Sequence, residues 1–321
     1  MAPRPLDASA RRAHKLRNTL HTWLLAGGSI LLLVVCVSAL MGPEGIVWAL
    51  IFGGISMAMA NRVSPQMVLR MYGARLLHPA EFPEGWAIVR DLAERAGLPA
   101  VPRLHYVPSR LMNAFAVGRP EDAAIAITDG LVRGLTLRQL RGVLAHEISH
   151  IRNGDLKVMA LADVVSRMTS TMSLVGLFML FINLPYLAAA RVPVPWGGVL
   201  LLMAAPTIGS LLQLALSRAR EYDADLDAAG LTGDPEGLAS ALMVLERRQG
   251  AFWEMAFPGT RIPDPSLLRT HPRTEDRVAR LMALAGRPGA LPEADDRRPR
   301  IGRSLVPIIR PPRWHATGLW Y

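Results

Sequence analysis

The chain has 321 residues, enough for about two domains of ordinary size. Its composition is 51% hydrophobic with a mean hydropathy of +0.24, too apolar for an ordinary soluble enzyme. The formal net charge is +10, yet no basic-aromatic RNA motif or zinc-finger spacing accompanies it, so no nucleic acid partner is expected and basic flanks of membrane helices explain the charge better.

Residues 1–21 carry Arg4, Arg11, Arg12, Lys15 and Arg17 against the single acid Asp7. Residues 22–41 hold no charge, and about 20 apolar residues span a bilayer core. The run is long for the apolar part of a signal peptide and no clear cleavage site follows, so a retained anchor is expected. Gly42-Pro43-Glu44-Gly45 turns the chain into a second apolar run, residues 46–60, followed by Arg62, Arg70 and Arg75. The excess of cations outside this turn places the N-terminus and the following segment in the cytoplasm.

Residues 61–136 read as soluble domain. Residues 83–97 form an amphipathic helix with Trp86, Val89, Leu92 and Ala93 on one side and a terminal glycine. Residues 103–107, 113–117 and 123–128 read as short strands. Asn113, Ala114, Phe115 and Ala116 carry mostly small side chains, so this strand could leave its backbone open for pairing with an extended peptide. A hairpin packed in the core fits the same residues and, without context, is the simpler reading.

Residues 137–155, LRQLRGVLAHEISHIRNGD, form the helix on which the chemistry turns. Thr136 and Gln139 fit a capping box, apolar residues recur at helical spacing, and Asn153-Gly154 supplies a stop. His146 and His150 are four residues apart and share a face, with Glu147 between them. Two such imidazoles can ligate zinc, and a carboxylate beside the first can take a proton from the water that the metal polarises. HExxH alone also occurs by chance on surface helices.

Asp155 can cap a new helix. Residues 158–184 and 192–217 are two further apolar runs, read as membrane spans with Arg191 in a short outer loop; a buried helical hairpin is the alternative. Residues 217–225, SRAREYDAD, continue directly from the second run. Glu221 and Asp225 share a helical face, so Glu221 can be a third ligand and Asp225 can accept a hydrogen bond from a ligand histidine. A juxtamembrane charge cluster fits these residues too, and the HExxH motif tips the reading towards metal. Asp234-Pro235 begins another helix to about Arg248, residues 252–266 read as irregular, and Thr274 reads as the N-cap of a last helix. Residues 286–321 have no helical or strand period and read as a flexible basic tail whose charge suits contact with anionic lipid. Cys36 is the only cysteine, so any metal must use histidine and carboxylate.

Four motifs in order, residues 113–118 (NAFAVG), 146–150 (HEISH), 217–225 (SRAREYDAD) and 271–281 (HPRTEDRVARL), resemble those of the HtpX family of bacterial membrane zinc endopeptidases, relatives of the CAAX prenyl proteases. Val117 stands where the family's first motif has threonine. The resemblance covers about residues 20–285 and implies an α+β, mainly helical fold: a gluzincin-like zinc peptidase core with a small β-sheet and four transmembrane helices. The chain then divides into a basic N-terminus (1–21), two spans (22–60), a first catalytic part (61–157), two spans (158–217), a second catalytic part (218–285) and the tail (286–321).

The resemblance further implies one Zn2+ per chain held by His146, His150 and Glu221, with Glu147 as general base. His271 would stabilise the oxyanion, Asp225 and Arg277 would support the site from behind, and residues 113–116 would bind substrate. It implies proteolysis of membrane proteins at the cytoplasmic face of the bacterial inner membrane, in quality control. A processing protease for a defined CAAX-like substrate and a zinc-stabilised membrane scaffold without catalysis are the competing readings. The oligomeric state is left open.

Overall fold

The structure is a computed structural model that describes residues 8–42, 44–60, 65–189, 196–256, 273–285 and 296–306. The chain begins with α1 (Ala8–Met41) and α2 (Glu44–Ala60), followed by the short α3 (Pro65–Met71) and β1 (Arg75–Leu76). Next come α4 (Pro83–Ala96), β2 (Arg103–Val107), β3 (Ala114–Val117), β4 (Ala124–Thr128) and α5 (Asp129–Gly134). The HExxH helix is α6 (Leu137–Asn153). The long helices α7 (Asp155–Ala189) and α8 (Trp196–Thr232) follow, then α9 (Pro235–Ala256) and α10 (Thr274–Leu284).

The four strands form one sheet in the order β1-β2-β4-β3, with β2 and β4 parallel and the other pairs antiparallel. β4 is central and all five of its residues are buried, which explains its unbroken AIAIT sequence. Ile125 and Ile127 face the main core, and Ala124 and Ala126 face a smaller cluster with Leu69 and Val107. β3 lies at the sheet's edge and packs against α6. The main core joins Leu92, Leu104 and Ile127 to Leu140, Leu144 and Ile148 of α6 and to Leu238 and Leu242 of α9. Gly142 permits this closeness: a Cβ there would sit 2.9 Å from the Leu238 Cα.

Both capping bonds expected of Thr136 and Gln139 are present at the start of α6. Gly154, at φ 68°, ends α6 in the left-handed region, and α7 begins at the next residue. Among the described residues two helices are long and apolar enough to cross a membrane by length and composition, within Val164–Pro185 and Trp196–Thr232. The apolar stretch Trp23–Ala39 of α1 is shorter. α1, α7 and α8 pack together around Val37, Val165, Leu202 and the buried Cys36, and the Ser173 hydroxyl of α7 donates to the Leu202 carbonyl of α8.

Three local expectations differ. α9 runs on to Ala256 instead of stopping near Arg248, so residues 252–256 are helical and not irregular. Arg273, not Thr274, occupies the N-cap of α10, and no side chain caps it. The expected flexible tail is not free throughout: residues 296–306 lie along the main core, with Ile301 packed against it and the Leu137 N–H donating to the Arg297 carbonyl at 2.8 Å. Residues 286–295 and 307–321, and with them most of the tail reading, fall outside the described residues.

Candidate metal centre

Two helices supply the candidate ligands. α6 projects His146 and His150 from one face, their rings edge to face with centroids 4.7 Å apart. α8 runs unbroken through its apolar stretch into the SRAREYDAD segment, so it delivers Glu221 without a loop. The two Nε2 atoms are 3.1 Å apart. Glu221 Oε2 lies 3.5 Å from the first and its Oε1 3.7 Å from the second. A tetrahedral metal with bonds of about 2.0–2.1 Å needs ligand atoms about 3.3–3.4 Å apart, so this triangle fits a small divalent ion.

A shell of hydrogen bonds and ion pairs surrounds the triangle. His146 Nδ1 lies 3.0 Å from Asp225 Oδ1, one turn beyond Glu221 on α8. Arg277 from α10 grips both Asp225 oxygens, at 2.7 and 2.6 Å, and its Nη1 lies 3.1 Å from Glu221 Oε2. Tyr222 helps seat α10, since the Arg280 guanidinium lies 3.7 Å over its ring. His150 Nδ1 lies 2.7 Å from Asp155 Oδ2, and Arg220 donates to the other Asp155 oxygen. Each histidine therefore has a carboxylate near Nδ1: His150 is hydrogen-bonded to Asp155, and His146 lies within ion-pair distance of Asp225. Asp155 and Arg220 were not expected here. The sequence signal for Asp155 was its place just after Asn153-Gly154, since a left-handed glycine turns the chain back upon the last turn of α6.

Charge in the metal-free site is strongly organised. Burial works against a charged His146, but Asp225 and Glu221 hold its imidazolium and raise its pKa to about 10. His150 is pushed down to about 4 by burial and by the neighbouring charged His146. Burial also pushes Glu147 above the usual carboxylate range, and Glu221 adds to this against the pull of both histidines. Asp225 stays below its usual range: burial opposes its charge, but Arg277 and His146 outweigh it.

A cavity of about 510 Å3 opens at this point. Asn113, Ala114, Phe115 and Ala116 line one side, and Glu147 lines it between the two histidines. Val143, Leu131, Leu238 and Leu242 form an apolar floor. β3 is the outermost strand of the sheet, and its residues line the same cavity as Glu147. Arg277 sits on the carboxylates behind the ligands. His271 lies outside the described residues.

Residues 79–285 match the sequence profile of Peptidase family M48. The protease HtpX homolog of Burkholderia ambifaria is 36% identical over 282 residues, 84% of this chain and 97% of that protein. The protease HtpX homolog of Methylibium petroleiphilum is 36% identical over 281 residues, 83% of this chain and 98% of that protein. The crystal structure of S. mikatae Ste24p is similar in fold, with a TM-score of 0.50 at 18% identity, covering 85% of this chain and 66% of that one. The His-His-Glu cluster thus sits inside a matched region, on a chain whose relatives are proteases aligned almost end to end, and the chain belongs to peptidase family M48 as a membrane metalloprotease.

Proposed function

We propose that this chain is a zinc-dependent endopeptidase of the bacterial cytoplasmic membrane that cuts membrane proteins near the cytoplasmic surface, in membrane protein quality control. The observation that carries the reading is the convergence of His146, His150 and Glu221 on one point, with Glu147 beside it and the β3 edge across the cavity. Four spans with both termini inside follow from the apolar runs and from the basic residues before the first one.

His146, His150 and Glu221 would hold one Zn2+, which when bound supplies positive charge to a scissile carbonyl and makes water acidic enough to attack near neutral pH. Glu147 takes the proton from the attacking water and passes it to the departing amine. In the metal-free site burial makes this carboxylate a stronger base than usual, which suits it to taking the proton. The backbone of residues 113–116 pairs with an extended substrate, and the apolar floor receives one of its side chains. The Asp225 and Asp155 carboxylates favour the tautomers with the imidazole proton on Nδ1, so both Nε2 lone pairs remain available. Arg277 keeps Asp225 ionised and sits beside Glu221. His271 is assigned the oxyanion on the strength of its family motif. Water is the nucleophile, so no acyl-enzyme forms.

The test compares membrane proteomes of cells carrying the wild-type chain or Glu147→Gln. Several membrane proteins should accumulate on the inactive form, with wild-type cuts in loops and exposed segments. A single substrate with one defined C-terminal cut would favour a processing protease, and no difference at all would favour the scaffold.

A further inference from the structure

Residues 296–306 lie outside the stretch that matches the M48 profile, yet they are tied to the catalytic unit at four points. The Leu137 N–H donates to the Arg297 carbonyl at 2.8 Å. Leu137 opens α6, and a first-turn N–H has no partner within its own helix. Arg133 donates to the Gly302 carbonyl at 2.6 Å. The Ser304 hydroxyl donates to Asp129 Oδ2 at 2.8 Å, and the Leu305 N–H donates to the Tyr106 hydroxyl at 3.0 Å. Ile301 adds an apolar contact with the main core.

The receiving surface is built for such a segment. Tyr106 is 1% exposed and Asp129 5%, and the Tyr106 hydroxyl donates to Asp129 Oδ1 at 2.7 Å. A carboxylate buried this deeply needs donors, and Tyr106, Arg133 and Ser304 provide them. These contacts lead to both walls of the cavity. Thr128, next to Asp129, accepts from the Asn113 N–H at 2.9 Å and donates to the Asn113 carbonyl at 2.9 Å, which anchors the start of the edge strand. Leu137 opens the helix that carries His146, Glu147 and His150.

We propose that residues 296–306 are a C-terminal brace, seated on a peptide-docking site made by Tyr106, Asp129, Arg133 and the start of α6, and that the brace sets the spacing between the edge strand and the HExxH helix. The docking half stands on contacts alone; the spacing half rests on the peptidase reading. The occupant is this chain's own extended segment, held largely by backbone groups with Ile301 and Ser304 as its specific side chains.

Three forms test this: the full-length chain, the full-length double variant Ile301→Asp with Ser304→Ala, and a chain ending at residue 295 with a synthetic 296–306 peptide added. Hydrogen exchange at the Leu137 amide reads docking, whether or not the protein cleaves anything. Protection should fall about five- to tenfold in the double variant, the loss expected when a hydrogen bond of this kind opens. The added peptide should restore protection to the shortened chain. For an extended peptide substrate, the double variant should raise KM several-fold with kcat and zinc content little changed. Equal exchange in the full-length chain and the double variant would overturn the docking site. Lost protection with an unchanged KM would overturn the spacing role. A zinc-loaded wild-type chain that cleaves nothing would refute the peptidase reading, and the exchange result would still decide the docking.

Discussion

Replacing Arg277 with alanine removes three close contacts at once. Its side chain is 9% exposed and bonds both oxygens of Asp225 while lying 3.1 Å from Glu221. The variant leaves two buried carboxylates with the His146 imidazolium as their remaining close cation. Breaking a buried pair from one side costs about 3–5 kcal/mol, and the metal-free protein should lose stability on that scale. Metal binding should weaken about 10–100-fold, because Asp225 would no longer be held against His146 and Glu221 would lose its orientation. Arg277→Lys should recover part of this, since it keeps the charge but cannot grip both oxygens in the same plane. Competition titration with a chromophoric zinc chelator reads the affinity, and denaturant unfolding of the metal-free form reads the stability. An alanine variant with wild-type zinc affinity and wild-type stability would refute the view that Arg277 holds the ligand shell together.

Gly142→Ala should destabilise the protein by about 1–2 kcal/mol: alanine's helix propensity recovers up to about 1 kcal/mol, but its Cβ would meet the Leu238 backbone and force α9 away. A raised unfolding midpoint would show that α6 and α9 do not approach so closely. Ala116→Pro removes a backbone N–H from the edge strand that lines the cavity and should weaken peptide binding with zinc retained; full peptidase activity would count against the edge strand. The brace should release on acidification. Burial opposes the charge of Asp129, but hydrogen bonds from Tyr106, Ser304 and Arg133 hold its pKa below the usual 3.8, so its contribution is present above that value and lost as pH falls through the lower folded one. Leu137 amide protection, after correction for intrinsic exchange, should therefore hold from pH 7 to about 4 and decline below; protection that grows on acidification would reverse the sign.

Local features of the site were legible because they depend on neighbours in sequence. The capping box at Thr136 and Gln139, the stop at Gly154 and the shared face of His146 and His150 follow from helical spacing. Glu221 was legible for a related reason, since the apolar run and the acidic segment lie on one uninterrupted helix. What was hidden depends on chain reversals and distant partners. Asp155 reads as a helix start until the left-handed Gly154 folds it back onto His150. Arg277 was placed near the site by its motif alone, and only the packing of α10 on α8 brings it to Asp225. The sheet order was also illegible, because the parallel pairing of β2 with β4 sends β3 to the edge. Residues 296–306 show no period, since an extended segment bound through carbonyls and N–H groups leaves little trace in side-chain pattern.

Metal content and peptide cleavage, measured together on the purified wild-type chain, Glu147→Gln and Glu221→Ala, most directly test whether two helices assemble one catalytic zinc site. Wild type and Glu147→Gln should each carry one zinc, because Glu147 is no ligand, and only wild type should cleave an unfolded test protein. Glu221→Ala should lose most of its zinc and its activity together. Cleavage that survives in Glu147→Gln, or full zinc in Glu221→Ala, would contradict the assignment.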